Sequence, residues 1–142
     1  MIIVGTGVDI VEISRIKQAA KKWSDKFLKR IFTDKELEYS RCKSIPYQHL
    51  AARFAAKEAV LKAIGDSSIH RIEWKHVEVL NDEYGKPFIN LSGHASKIKQ
   101  EKNISDIIIS MSHTRTYAIA NAIMIKNGKD KKYSIKKATQ QQ

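Results

Sequence analysis

What this chain lacks narrows it first. It holds one cysteine, Cys42, so no internal disulfide can form, and a reducing compartment is the expectation. It holds no apolar run long enough to cross a bilayer. The most apolar stretch, Ala118 to Ile125, is short and contains Asn121. The opening run Met1 to Val8 lacks the basic leader of a secretory signal and soon meets Asp9. A cytoplasmic protein with no membrane partner is expected. No repeat or low-complexity segment appears before the last residues. No His/Cys zinc pattern exists, since His49, His70, His76 and His94 show no ligand spacing. Gly5-Thr6-Gly7 is neither a dinucleotide nor a P-loop fingerprint. Acidic residues are scarce as well. Fifteen stand against 26 Lys and Arg, a net +11, which calls for an anionic partner without choosing among nucleic acid, membrane, phosphorylated cofactor and acidic protein.

That charge is uneven. From Lys126 onward there are six lysines, one aspartate and a closing run of glutamines. The sequence therefore divides into a single domain over residues 1–125 and a basic, Gln-ended tail over 126–142, expected to be a frayed, solvated terminus. The domain is 42% hydrophobic by whole-chain composition and long enough to bury a core unaided.

Within it, Ile2 to Ile10 is β-rich and interrupted by Gly5 and Gly7, which predicts a strand with a bend or a close backbone approach. Ser14 is a candidate cap for a helix starting near Arg15. Ile16, Ala20, Trp23 and Phe27 share one face of that helix, and Arg15, Lys22 and Lys26 another; Trp23-Ser24-Asp25 is a candidate break. Thr33-Asp34-Lys35-Glu36 has capping-box spacing. Residues 47–64 form a long alanine-rich helix after Pro46, with Leu50, Phe54, Leu61 and Ile64 on one stripe and Gly65 as its stop. Ile72 to Leu80 and Phe88 to Leu91 read as strands around a turn. Ser92 opens a short helix. Asp106 to Ser112 and Thr116 to Ile125 read as a hairpin across His113-Thr114-Arg115. Strands at both ends with helices between them predict an α+β fold with a largely antiparallel sheet.

Three residues stand out chemically. Asp9 lies in a run of valine and isoleucine, where a carboxylate needs a partner, a hydrogen-bond network or a metal; capping the next turn beside Ser14 is the alternative. Glu58 has Lys62 four residues on. An exposed pair of this kind stabilises a helix by about 0.2–0.5 kcal/mol. The surrounding Ala51, Ala55 and Ala59 argue instead for close approach by a ligand or another backbone. Together Asp9 and Glu58 are a candidate magnesium pair, hard oxygen donors that leave room for substrate phosphates. Arg53, Lys57 and Lys62 supply positive charge for a diphosphate, and Lys57 has a second reading, snorkelling past the core. His113 ends a buried-looking strand, a place for a ligand contact or for a histidine satisfied by turn backbone.

Three blocks together resemble the holo-(acyl-carrier-protein) synthase family of phosphopantetheinyl transferases. They are Gly5-Thr6-Gly7-Val8-Asp9-Ile10-Val11-Glu12 with Arg15-Ile16, then Arg53 to Gly65 with Lys57-Glu58-Ala59, then Ile109-Ser110-Met111-Ser112-His113-Thr114 with Tyr117-Ala118-Ile119-Ala120. Asn81 to Leu91, with Gly85-Lys86-Pro87, resembles the family's central hairpin. The resemblance implies an enzyme of lipid metabolism that moves the 4'-phosphopantetheine arm of coenzyme A to a serine of apo acyl carrier protein for fatty acid biosynthesis. It implies a small homotrimer with active sites between subunits. Asp9 and Glu58 match the magnesium-binding acids, and Lys62 a lysine near the transferred phosphate. Arg53 and His113 match positions lining the coenzyme A cleft, and Arg15 a basic residue receiving the acidic carrier. By their position on the same basic face, Lys22 and Lys26 join Arg15 in steering that carrier. The chain departs from the family at Asp66-Ser67-Ser68, where a Thr-Gly pair is usual, and at Arg115-Thr116, where an acid is common. A nucleic-acid-binding module and a metal-dependent nuclease are the competing readings. The first lacks any recognition motif, and the second would cleave phosphodiesters without coenzyme A.

Overall fold

The computed structural model describes residues 1–128, so all but the first three residues of the expected tail lie outside the described part. A β-branched opening segment forms strand β1, Ile2–Glu12. Its pairing jumps from Ile3↔Ile125 to Gly5↔Met124, which leaves Val4 as the extra residue of a bulge. Helix α1, Ile13–Ile31, follows with no connecting loop, and its first N–H, that of Ile13, donates to the carbonyl of Thr116 at 2.9 Å. Ser14 is thus inside the first turn and not the cap. The expected break falls at Ser24, whose φ of 53° is non-helical. Ile16 and Ala20 are buried, but Trp23, placed on their face by the wheel, is turned to solvent by that break.

Helix α2, Asp34–Arg41, carries the full capping box: Thr33 Oγ1 accepts from the Glu36 N–H, and Glu36 accepts from the Thr33 N–H. Helix α3, Pro46–Ile64, begins on its proline and ends at Gly65, whose φ of 73° favours glycine. Its packing surface differs from the expected stripe. Of Leu50, Phe54, Leu61 and Ile64 only Leu50 is fully buried, whereas Ala51, Ala55, Ala56, Ala59 and Val60 have no exposure. The alanines let the helix backbone lie against β1. A Cβ on Gly7 would meet the Ala59 carbonyl oxygen at 1.9 Å, and one on Gly5 that of Ala63 at 2.1 Å. Glycine in the strand and alanine in the helix are therefore one device.

Strands β2, Val77–Asn81, and β3, Pro87–Leu91, make the central hairpin. β2 starts five residues later than expected because Trp74–His76 winds into a 3-10 turn. The Trp74 and Val77 carbonyls there are taken by the ammonium of Lys57 rather than by a neighbouring strand. Helix α4, Gly93–Glu101, and strands β4, Asp106–His113, and β5, Tyr117–Lys126, complete the domain. The main sheet is antiparallel in the order β1-β5-β4.

Its two faces differ. Gly7, Asp9 and Val11 of β1, Ala118, Ala120, Ala122 and Met124 of β5, and Ile107 and Ile109 of β4 face α3. The other face carries Val8, Ile10, Ile108, Tyr117 and Ile119, all exposed, with Ile10 at 62%. The alanines of β5 make the core, and Tyr117 and Ile119 lie on its bare side.

Candidate active site

Asp9 lies within β1 on the helix-facing side, opposite Ala120, whose small side chain leaves space above it. Its carboxylate is 17% exposed and accepts from Lys62 Nζ at 3.0 Å; the same ammonium donates to the Val8 carbonyl at 2.9 Å. Lys62 keeps 53% of its side chain in solvent, so one end of the pair is free to meet a ligand. Glu58, one turn earlier on α3, is half-buried and makes no hydrogen bond to another described residue through its side chain. Burial first, and the Asp9 charge second, hold its carboxyl above the usual glutamate range, with Lys62 acting in the opposite direction. Asp9 and Glu58 line one open cleft of about 320 Å³ with Arg15, Ile16, Phe27 and Phe54. Asp9 is paired there with Lys62, whereas Glu58 forms no ion pair with a described residue.

Lys57, next to Glu58 in the chain, points the other way. Its ammonium is fully buried and donates to Glu36 at 2.7 Å and to the Val77 carbonyl at 2.6 Å. The other oxygen of Glu36 accepts from the Val79 N–H. Lys57 is thus structural and does not reach the cleft.

Of the remaining predicted residues, Arg53 and His113 belong to a second group. Arg53 is buried, donates to Asn81 Oδ1 and sits 4.2 Å over the Tyr39 ring. His113, exposed at the end of β4, stacks edge-on with His49 at 5.9 Å, and His49 likewise with Tyr39. Neither Arg53 nor His113 lines the Asp9–Glu58 cleft. Arg15, Lys22 and Lys26 are exposed along α1, as the wheel predicts. Arg15 enters the first cleft, and Lys26 lines an adjoining groove with Trp23, Phe27 and Arg30. Phe27 belongs to both hollows, so the basic helix face runs into the acidic cleft. Glu36, Tyr39, His49 and Asn81 were missed in sequence. A signal existed for one of them: His49, Arg53 and Lys57 recur every fourth residue on α3.

No group of three or more His, Cys, Asp or Glu side chains able to hold a metal occurs among the described residues. Asp9 and Glu58 are a pair, the number of carboxylates that magnesium takes when phosphates complete its shell.

Comparison with known proteins places these features in context. Residues 5–122 match the model of the 4'-phosphopantetheinyl transferase superfamily. The holo-(acyl-carrier-protein) synthase of Halothermothrix orenii is 44% identical over 116 residues, 82% of this chain and 92% of that protein. The crystal structure of the Neisseria meningitidis holo-(acyl-carrier-protein) synthase superposes with a TM-score of 0.79 at 34% identity, covering 88% of this chain and 100% of that one. A Bacillus anthracis holo-(acyl-carrier-protein) synthase, solved in complex with coenzyme A (3',5'-ADP), has a TM-score of 0.71 at 32% identity, covering 89% and 100%.

Proposed function

We infer the reaction from one premise: the chain belongs to the 4'-phosphopantetheinyl transferase superfamily, and within it to the holo-(acyl-carrier-protein) synthases. The enzyme transfers the 4'-phosphopantetheine arm of coenzyme A to a serine of apo acyl carrier protein. The serine oxygen bonds to the β-phosphorus of coenzyme A. The bond from that phosphorus to the bridging oxygen breaks, and 3',5'-adenosine bisphosphate leaves with the electron pair. The observation that carries this reading is the shared cleft of Asp9 and Glu58, with Lys62 on its rim.

Asp9 and Glu58 would hold a magnesium ion, for they are hard oxygen donors with more negative charge than Lys62 offsets. Such an ion, when bound, neutralises charge on the diphosphate. Lys62, anchored by Asp9 and the Val8 carbonyl yet half in solvent, holds the leaving phosphate oxygens. Glu58, on the cleft wall, takes the serine proton directly or through water. Arg15 at the cleft mouth, with Lys22 and Lys26 behind it, steers the acidic carrier.

The enzyme works as a homotrimer with its sites between subunits. Two features support this. The apolar outer face of the main sheet is bare in a single chain. The Arg53–His113 group, assigned to coenzyme A, lies outside the cleft it must complete, so one copy's cofactor-holding group serves the neighbour's acids. Ile10→Asp should leave a folded monomer without transfer activity, read by light scattering beside an activity assay; an active monomer would contradict the assembly. The exposed, unpaired Cys42 accords with a reducing, cytoplasmic setting. The test of the reaction itself is the intact mass of apo carrier protein after incubation with this enzyme, coenzyme A and magnesium. Gain of one phosphopantetheine is expected, and an unchanged mass would overturn the assignment.

A further inference from the structure

The second group of residues holds more positive charge than its surroundings explain. Arg53 and Lys43 both lie over the Tyr39 ring, at 4.2 and 4.6 Å. Tyr39 meets His49 edge-on, and His49 meets His113 edge-on, each at 5.9 Å between ring centres. Four basic side chains thus gather around Tyr39 and one another: Lys43 after α2, His49 and Arg53 on α3, and His113 at the end of β4. Among the described residues, none of the four forms an ion pair with a carboxylate. The acid acting on Arg53 is Glu36, and its oxygens are already engaged by Lys57 and by the Thr33 and Val79 N–H groups. Arg53 is buried, yet its Nε has no hydrogen-bond partner. A buried donor left unmatched and a cluster of like charges are both costly unless an anion joins them.

We propose that His49 is the proton-loading member of this cluster: it is neutral in the free enzyme and becomes imidazolium when a dianionic phosphate group of the cofactor arrives. The idea rests on the transferase reading above, since coenzyme A supplies the phosphate monoester. The surroundings of His49 give the direction. Burial first, then Arg53, His113 and Lys43, push it below the ordinary histidine value of 6.5. Those are the groups that face it: Tyr39 from α2, Lys43 from the segment after α2, Arg53 on α3 and His113 from β4. None carries negative charge at neutral pH. A dianion placed among them favours the charged imidazole, and the proton comes from solvent.

The test is calorimetry of coenzyme A binding, with magnesium present, at about pH 6.5 in two buffers of different ionisation enthalpy. Wild type should take up about half a proton more per coenzyme A than His49→Gln, a difference that cancels the ligand's own titration. Half a proton corresponds to affinity weakening about threefold per pH unit as pH rises, a slope the variant should lose. Equal uptake by both proteins would overturn the proposal. A second reading needs no variant: the NMR titration midpoint of His49 should move up when coenzyme A is added, and an unmoved midpoint would overturn it too. Carrier mass gain measured on the same samples separates the two claims. Transfer with equal proton uptake removes only the role of His49, whereas no binding and no transfer removes the transferase reading with it.

Discussion

Lys57 and Glu58 stand side by side on α3, and one step around the helix sends the first into the core and the second to the cleft. Lys57 meets a carboxylate and two carbonyls that match its donors, although burial still pulls it below the ordinary lysine range. Glu58 meets another carboxylate, partial burial and half of one lysine's attention. The contrast teaches which charges hold a fold and which do chemistry. A buried ion whose donors are all matched ties elements together, here α3 to α2 and β2. A carboxyl whose surroundings disfavour its charge keeps that free energy available for a cation or a proton.

Removing one side of the satisfied pair should have the largest effect. Lys57→Ala strands Glu36 without its cation inside the core, and should cost about 3–5 kcal/mol of stability in a denaturant melt. Only part of that loss should return in the double variant Lys57→Met with Glu36→Leu, which also orphans the Thr33 and Val79 N–H groups and two carbonyls. A loss below about 1 kcal/mol would erase the distinction between the two neighbours.

How far the functional side extends is sharpened by Arg15→Glu. The KM for carrier protein should rise about tenfold at low salt, roughly 1.4 kcal/mol. The difference should shrink as salt is added. Coenzyme A binding should not move. Equal losses for both substrates would place Arg15 elsewhere.

The smallest effect is a pH dependence. In the folded protein Glu58 holds its proton above the ordinary value of 4.5. Its contribution to stability is therefore present below that value and lost as pH rises through the raised one. Relative to Glu58→Gln, wild type should lose melting temperature over this window, and magnesium should restore it at about pH 7. A wild type that gains stability there, without magnesium, would reverse the sign and the argument.

Much of this was legible in the order of residues. Thr33 and Glu36 mark their helix start by spacing alone, and Gly65 marks a stop. Asp9, an unusual acid in a strand, and Glu58, an acid among alanines, stand out in the sequence and line one cleft in the fold. What failed had separate causes. Position on a helical wheel says which residues share a face, not which face is covered. Trp23 fits the apolar stripe of α1 and is exposed because Ser24 breaks the helix. His49 shows no metal-ligand spacing in the sequence, and its partners come from α2 and, far from it along the chain, β4.

The most direct trial of the account is the initial rate of carrier mass gain by Asp9→Asn and Glu58→Gln, with magnesium and coenzyme A saturating. Both variants should melt no lower than wild type when magnesium is left out, and with it transfer at least about a hundredfold more slowly, about 2.7 kcal/mol of lost transition-state stabilisation. A rate close to wild type in either, with magnesium still required, would contradict it.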